Sequence, residues 1–311
     1  MQNKYDTLEH FLFEDTFSQA MPIRGNLVRI NQTQQQALQH QALPKHLRQA
    51  LGELMAACAL LSATLKMEGS LIMQLQSKGA IPLLVVECGS DLCMRATAKW
   101  DTAREAEIES KDFLALVKNG HFAITLDPTE GEAYQGIVPI EGATIAEMLQ
   151  NYMLRSQQID TSLWLQSDGE SAAGMLLQKL PNHTEHDQGA HDQGAHDQGT
   201  HDLDAWNRIN QLANTVTPAE LSTLTSEVLL QRLFYGEEIR LFKAREIKAH
   251  CSCTREHVAN MLKMLGEPEV NSIIEEQGSI QINCDFCNKL YVFDENEASG
   301  LFHPTAIHTK H

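Results

Sequence analysis

The period of hydrophobic and polar positions changes several times along this chain, and the changes outline its parts. LIMQLQSKG (71–79), IPLLVVECG (81–89) and LCMRATAKW (92–100) are strand-like runs joined by short turns at SKGA and GSD. They predict an antiparallel meander. Further strands are predicted at FAITL (122–126), YQGIVPI (134–140), SLWLQ (162–166) and GMLLQKL (174–180). Leu47, Leu51, Leu54, Cys58, Leu61 and Leu65 instead step by four and three, which places one apolar stripe on a long helix. Ile145, Met148, Leu149 and Tyr152 share a face of a second helix over 144–155. Strands at both ends with helices inserted predict an α+β fold for residues 1–180, a mixed core whose sheet is largely antiparallel. This part carries no Gly-rich phosphate loop, GxSxG elbow or HExxH motif.

The pattern then breaks. Residues 181–202, PNHTEHDQGAHDQGAHDQGTHD, repeat His-Asp-Gln-Gly with a five-residue period that places histidines at 186, 191, 196 and 201. Such a step turns about 140° per repeat around a helix, and on a strand it alternates faces. Neither geometry converges the imidazoles on one ion, so the tract reads as a polar linker insertion. Residues 203–249 read as a helical, amphipathic linker, with Thr217-Pro218-Ala219-Glu220 forming a capping box. EVLLQRLFYGEEIRLF (227–242) is rich in apolar side chains. Alone it could hardly offset an ordering entropy of roughly 1–2 kcal/mol per residue. It must lean on a neighbour. In 250–311, helices are predicted at 254–265 and 268–277, closed by Gly266 and Gly278, followed by a hairpin in SIQINCDFCNKLYVF.

Composition narrows the chemistry. The 311 residues are 42% apolar, enough for one substantial core and a smaller second unit. A net charge of −17 repels phosphate backbones, so nucleic-acid binding would need a local basic patch. MQNKYDTLEHFLFED is acidic and broken, which predicts no secretory signal, and LMAACALLSATL (54–65) is too short to cross a bilayer. Together these predict a cytoplasmic protein with no membrane partner. Of seven cysteines, four crowd into the last quarter, a pattern of metal or redox chemistry in a reducing compartment.

Those four are Cys251 and Cys253, one residue apart, and Cys284 and Cys287 in NCDFCNK. Four thiolates in two close pairs can surround one Zn²⁺ tetrahedrally, and this is the expected cofactor, one per chain. His250 and His257 flank the first pair, but four thiolates already fill the shell. A purely structural zinc is one reading. A redox switch is favoured because each pair is close enough for a local disulfide, which would consume two ligands. Structural zinc contributes roughly 10–16 kcal/mol of apparent binding free energy, so its loss would unfold a tail with little core of its own. A turn at 284–287 suits disulfide geometry, whereas the 251–253 pair requires rearrangement, so the downstream pair is expected to oxidise first. Cys58 lies on the apolar stripe and reads as core, and Cys88 and Cys93 flank a turn as buried or half-buried thiols.

The CSC…CDFC arrangement followed by LYVFDENEASGLF resembles the redox-regulated thirty-three-kilodalton heat-shock chaperones, the HslO type. The segments at 71–100 and 134–166 are similar to that family throughout, and only the repeat insertion departs from it. The resemblance implies a holdase that is inactive when reduced and zinc-bound. Hypochlorous acid or peroxide, combined with unfolding stress, activates it. By position it makes Cys251, Cys253, Cys284 and Cys287 the zinc ligands, and Cys251–Cys253 and Cys284–Cys287 the oxidised pairs. It further implies an unstable linker over about 181–249, unfolded or misfolded client proteins as partners, a homodimer when oxidised, and client transfer to ATP-dependent foldases.

Two other function classes compete. A constitutive zinc module that binds nucleic acid would carry a basic surface, but Cys251–Phe293 has three basic residues against six acidic ones. A thiol–disulfide oxidoreductase would place its CxxC at a helix N-terminus in a βαβ setting. Here the pair falls in a predicted hairpin, so no enzyme activity is expected.

Overall fold

The computed structural model describes residues 6–14, 20–117, 119–181 and 198–302. In chain order the strands are β1 (Thr7–Glu14), β2 (Ala20–Ile30), β3 (Gly69–Gln76), β4 (Leu83–Gly89), β5 (Cys93–Lys99), β6 (His121–Pro128) and β7 (Tyr134–Pro139). They continue with β8 (Thr161–Ser167), β9 (Ala172–Lys179), β10 (Glu238–Leu241), β11 (Arg245–Glu246), β12 (Lys248–Ala249), β13 (Ser279–Asn283) and β14 (Leu290–Asp294). The first sheet runs β10-β1-β2-β9-β8, with β11 also paired to β1, and the second runs β12-β5-β4-β3-β6-β7. Pairing is antiparallel except where β12 joins β5. The predicted meander is β3-β4-β5, and the fold is α+β.

The chain divides into two compact units at Ala249 and His250. In the first, helix Lys45–Ser62 packs against strands of both sheets. Sequence spacing predicts a single stripe, but Ala56, Ala57, Ala59 and Leu60 are buried as fully as Leu51 and Leu54. Alanines on the second face let a sheet approach each side of one helix. The opposite face of the first sheet is covered by helices Gln198–Ala213, Pro218–Thr223 and Ser226–Leu233. Strand β9 serves both layers: Ala173, Met175 and Leu177 face the covering helices, whereas Ala172 and Leu176 face the central helix. On β1, Phe11 and Phe13 join the outer core. Gly25 lies beneath Phe11, where a Cβ would stand 2.0 Å from the ring, so the close approach requires glycine.

The helical expectation for 203–249 holds only to Leu233. Beyond it, β10, β11 and β12 add to the edges of the two sheets. The reason is legible in Glu238-Ile239-Arg240-Leu241, whose polar and apolar residues alternate with period two, and Phe11 pairs with Leu241. Strands β1 and β2 carry no prediction from sequence. On β1, Leu8 belongs to the central core and Phe11 and Phe13 to the outer one, so both faces carry apolar residues and no polar–apolar alternation marks the strand. Most of the His-Asp-Gln-Gly tract, residues 182–197, lies outside the described residues, and the backbone is helical from Gln198.

The second unit contains helices Arg255–Leu265 and Glu267–Gln277, the β13–β14 hairpin and helix Glu295–Phe302. Thr254 caps the first helix by accepting the His257 N–H at 3.1 Å. Its core is small: Val258, Leu262, Val270, Ile280, Tyr291, Phe293 and Ala298. So few buried side chains give little stability without a cross-link.

Candidate metal centre

Two short segments bring the thiols together. Cys251 and Cys253 lie in irregular chain just before the Thr254 cap, and Cys284 and Cys287 lie in the turn between β13 and β14. That turn is closed by the Cys284 N–H donating to the Lys289 carbonyl at 3.0 Å and the Asn288 N–H donating to the Cys284 carbonyl at 2.8 Å. Asn288 adopts a left-handed conformation at φ 56°, one that asparagine tolerates better than most residues. The turn therefore leaves both thiols free to face the CSC segment.

The four sulfurs lie within 4.8 Å of one another. The shortest approaches run between the pairs: Cys251 Sγ to Cys284 Sγ is 3.6 Å and Cys253 Sγ to Cys287 Sγ is 3.4 Å. Sulfurs bound tetrahedrally at about 2.3 Å from an ion stand about 3.8 Å apart. The donor set therefore has the size and chemistry that a zinc ion takes. His250 and His257 do not belong to this group; it is the only grouping of its kind among the described residues.

Electrostatics separate the four thiols. Burial opposes ionisation of Cys253, but hydrogen bonds from Tyr291 and the neighbouring thiols outweigh it and hold the group down to about 7. Burial pushes Cys287 up to about 12, and its sulfur neighbours add to the rise. Cys251 is also raised, first by burial. One thiol is thus poised as thiolate, the form that both ligates metal and reacts with oxidants. The Tyr291 hydroxyl sits 3.2 Å from Cys253 Sγ and 3.0 Å from its carbonyl oxygen. The Tyr291 contact is absent from the sequence reading, although the alternation in LYVF places Tyr291 and Phe293 on one face of the hairpin.

The remaining cysteines are elsewhere. Cys58 and Cys88 are buried, and Cys93 is half-buried at the edge where β12 pairs with β5. Burial raises Cys58 strongly and pushes Cys88 up to about 12. Cys93 is raised by burial and by Asp91. Each of these thiols is therefore held towards its protonated form.

The sequence profile of the Hsp33 protein family matches residues 6–294. The chain belongs to the Hsp33 family. A relative from Methylobacillus flagellatus named 33 kDa chaperonin is 54% identical over 299 residues, covering 96% of this chain and 94% of its own. The 33 kDa chaperonin of Chromobacterium violaceum is 44% identical over 303 residues, covering 96% and 95% of the two chains. The crystal structure of the Thermotoga maritima 33 kDa chaperonin, an Hsp33 homolog, shares the fold with a TM-score of 0.73 at 20% identity, covering 96% of this chain and 98% of its own. Among the described residues of this Hsp33 chain, no helix is long and apolar enough to cross a membrane.

Proposed function

We propose that this protein is a cytoplasmic holdase chaperone switched on by oxidation of its four-cysteine centre. The observation that carries this reading is the convergence of Cys251, Cys253, Cys284 and Cys287 within 4.8 Å in a unit with a small core, on an Hsp33 chain. Zinc, when bound by these four residues, supplies the cross-link between the CSC segment and the hairpin turn.

Oxidation removes the donors. In the downstream pair, Cys284 and Cys287 each lose one electron and an S–S bond forms. Hydrogen peroxide takes the two electrons with two protons and yields two waters. Cys251 and Cys253 alone would not complete a four-thiolate set, so a zinc ion held by the four residues would be lost. Cys251 and Cys253 then pair after local rearrangement. Residues 250–311, the redox-switch domain, lose their main support and unfold. Only His250 separates β12 from Cys251, so this unfolding frees the end of the 203–249 linker.

The linker then exposes the client surface. Its helices bury Leu229, Leu230, Leu233 and Phe234 against Phe11, Phe13, Ile23, Leu27, Met175 and Leu177 of the 1–180 core. Detachment uncovers both apolar faces, and a surface of this kind captures unfolded polypeptide by burying its apolar side chains. The oxidised chain dimerises and hands its clients to ATP-dependent foldases.

The test compares aggregation of a chemically unfolded enzyme in the presence of the reduced, zinc-loaded protein and of the peroxide-treated protein, with zinc release followed by a chromogenic chelator in the same tube. Suppression by the oxidised form alone is expected. Equal suppression by both forms would replace this reading with a constitutive binding module.

A further inference from the structure

A cavity of about 350 Å³ opens in the first unit between helix Lys45–Ser62, the segment 109–116 and the start of helix Ile145–Tyr152. Its volume lies at the lower end of the range of small-molecule sites, about 300–1,000 Å³. Glu53 lines it. This is the only charged residue between Arg48 and Lys66, set in a helix that is otherwise nearly all buried beyond Ala50. Among the described residues its carboxyl has no hydrogen-bond or ion-pair partner. Other shielded acids of the fold are satisfied: Asp6 accepts the N–H groups of Asn31, Gln32 and Thr33, and Glu87 pairs with Arg95 at 2.6 Å. A partly buried carboxylate without a partner is a cost to folding, and at this helix position an apolar side chain would be the stable choice. Perturbed, unpartnered acids in clefts mark binding sites for that reason.

The rest of the lining defines the ligand. Glu109 and Asp112 add negative charge, while Lys111 is held by Glu107 at 2.9 Å and His46 Nδ1 lies 3.4 Å from Glu109. These four are the titratable groups that share the cavity with Glu53. The balance disfavours an anion. A bare metal ion is also disfavoured, because the only close grouping of metal donors among the described residues is the cysteine centre. Ile81, Phe113 and Ile145 provide apolar wall. We infer that this cavity binds a small organic cation, an ammonium or guanidinium on an apolar stem, with the Glu53 carboxylate as its counter-ion.

Burial holds Glu53 up at about 7 when the cavity is empty, so the cation binds the deprotonated form and displaces a proton below that pH. Affinity therefore rises with pH through neutrality by about tenfold between pH 6 and 8 and levels off above.

Calorimetric titration of the full chain with n-butylguanidine, against the neutral n-butylurea, tests the site. Binding of the guanidine alone is expected, weakened at least tenfold in Glu53→Gln and in Ala143→Trp, which adds bulk at another residue of the lining. The pH dependence disappears in Glu53→Gln and persists in His46→Gln. Thermal stability of Glu53→Gln stays at or above that of the parent, which a structural carboxylate would not allow. Displacement by acetyl-Gly-Arg-Gly-amide identifies the cation as an arginine side chain of a polypeptide, and failure to displace identifies a free small molecule. No guanidine binding at pH 8, or equal binding by Glu53→Gln, overturns the assignment.

Discussion

Replacing Phe234 with alanine removes the ring that locks the 203–249 segment onto the first sheet. Phe234 is 1% exposed and meets Phe13 edge-on, with centroids 5.1 Å apart at 87°, and Phe13 in turn meets Phe11 at 5.8 Å. Truncating a buried phenylalanine costs about 3–5 kcal/mol, of which the edge contact accounts for about 0.5–1.5 kcal/mol. The loss falls on the attached state alone, because the ring is solvated once the helices detach. With RT about 0.6 kcal/mol, the detached population rises about 150- to 5,000-fold. Hydrogen exchange measured by mass spectrometry on the reduced, zinc-loaded protein reads this directly. Amides of Leu229–Leu233 should exchange faster by that factor, while those of β3 and β4 keep their protection. The same variant should suppress client aggregation without oxidant. Faster exchange with no gain in suppression would refute the claim that this apolar face receives clients, and unchanged exchange would refute the packing argument.

Other consequences follow from the same geometry. Cys284→Ser leaves three thiolates, so zinc content measured by atomic absorption should fall and residues 250–302 should become sensitive to trypsin under reducing conditions. Tyr291→Phe keeps the buried ring but deletes the hydroxyl on Cys253, and chelator competition should show zinc affinity reduced by about 10–100-fold. In the metal-free reduced protein, Cys253 should alkylate well ahead of Cys287, with half-maximal rate near pH 7 and slowing below it as the thiolate protonates. Mass mapping after peroxide should find the Cys284–Cys287 bond before Cys251–Cys253, and the reverse order would contradict the role given to the hairpin turn.

Much of this was legible in the sequence. The β3-β4-β5 meander, the first two of the three helices of the second unit and its hairpin each carry a clear period, whereas helix Glu295–Phe302 carries no prediction from sequence. The four thiols stand out in the sequence because two close cysteine pairs near one end of a chain have few uses other than metal or redox chemistry. What was missed has local physical causes. Strand β1 is apolar on both faces, with Leu8 in one core and Phe11 and Phe13 in the other, so it lacks the polar–apolar alternation that marks a half-buried strand. Strand β10 follows only a few residues after a helix, so its four-residue alternation is submerged in the apolar run that precedes it. Burial of a second face of helix Lys45–Ser62 depends on two sheets flanking it, which no helical periodicity encodes. Likewise, the hydrogen bond from Tyr291 to Cys253 spans 38 residues and exists only because the hairpin folds against the CSC segment.

In the proposed switch, oxidation of the four-cysteine centre frees an apolar face about twenty residues upstream of Cys251. The most direct measurement follows zinc release, hydrogen exchange at Leu229–Leu233 and client binding together in a single peroxide time course. The account predicts that zinc departs first, with exchange and client binding rising afterwards in step. Client binding that reaches its full level while zinc is retained and Leu229–Leu233 stay protected would contradict it.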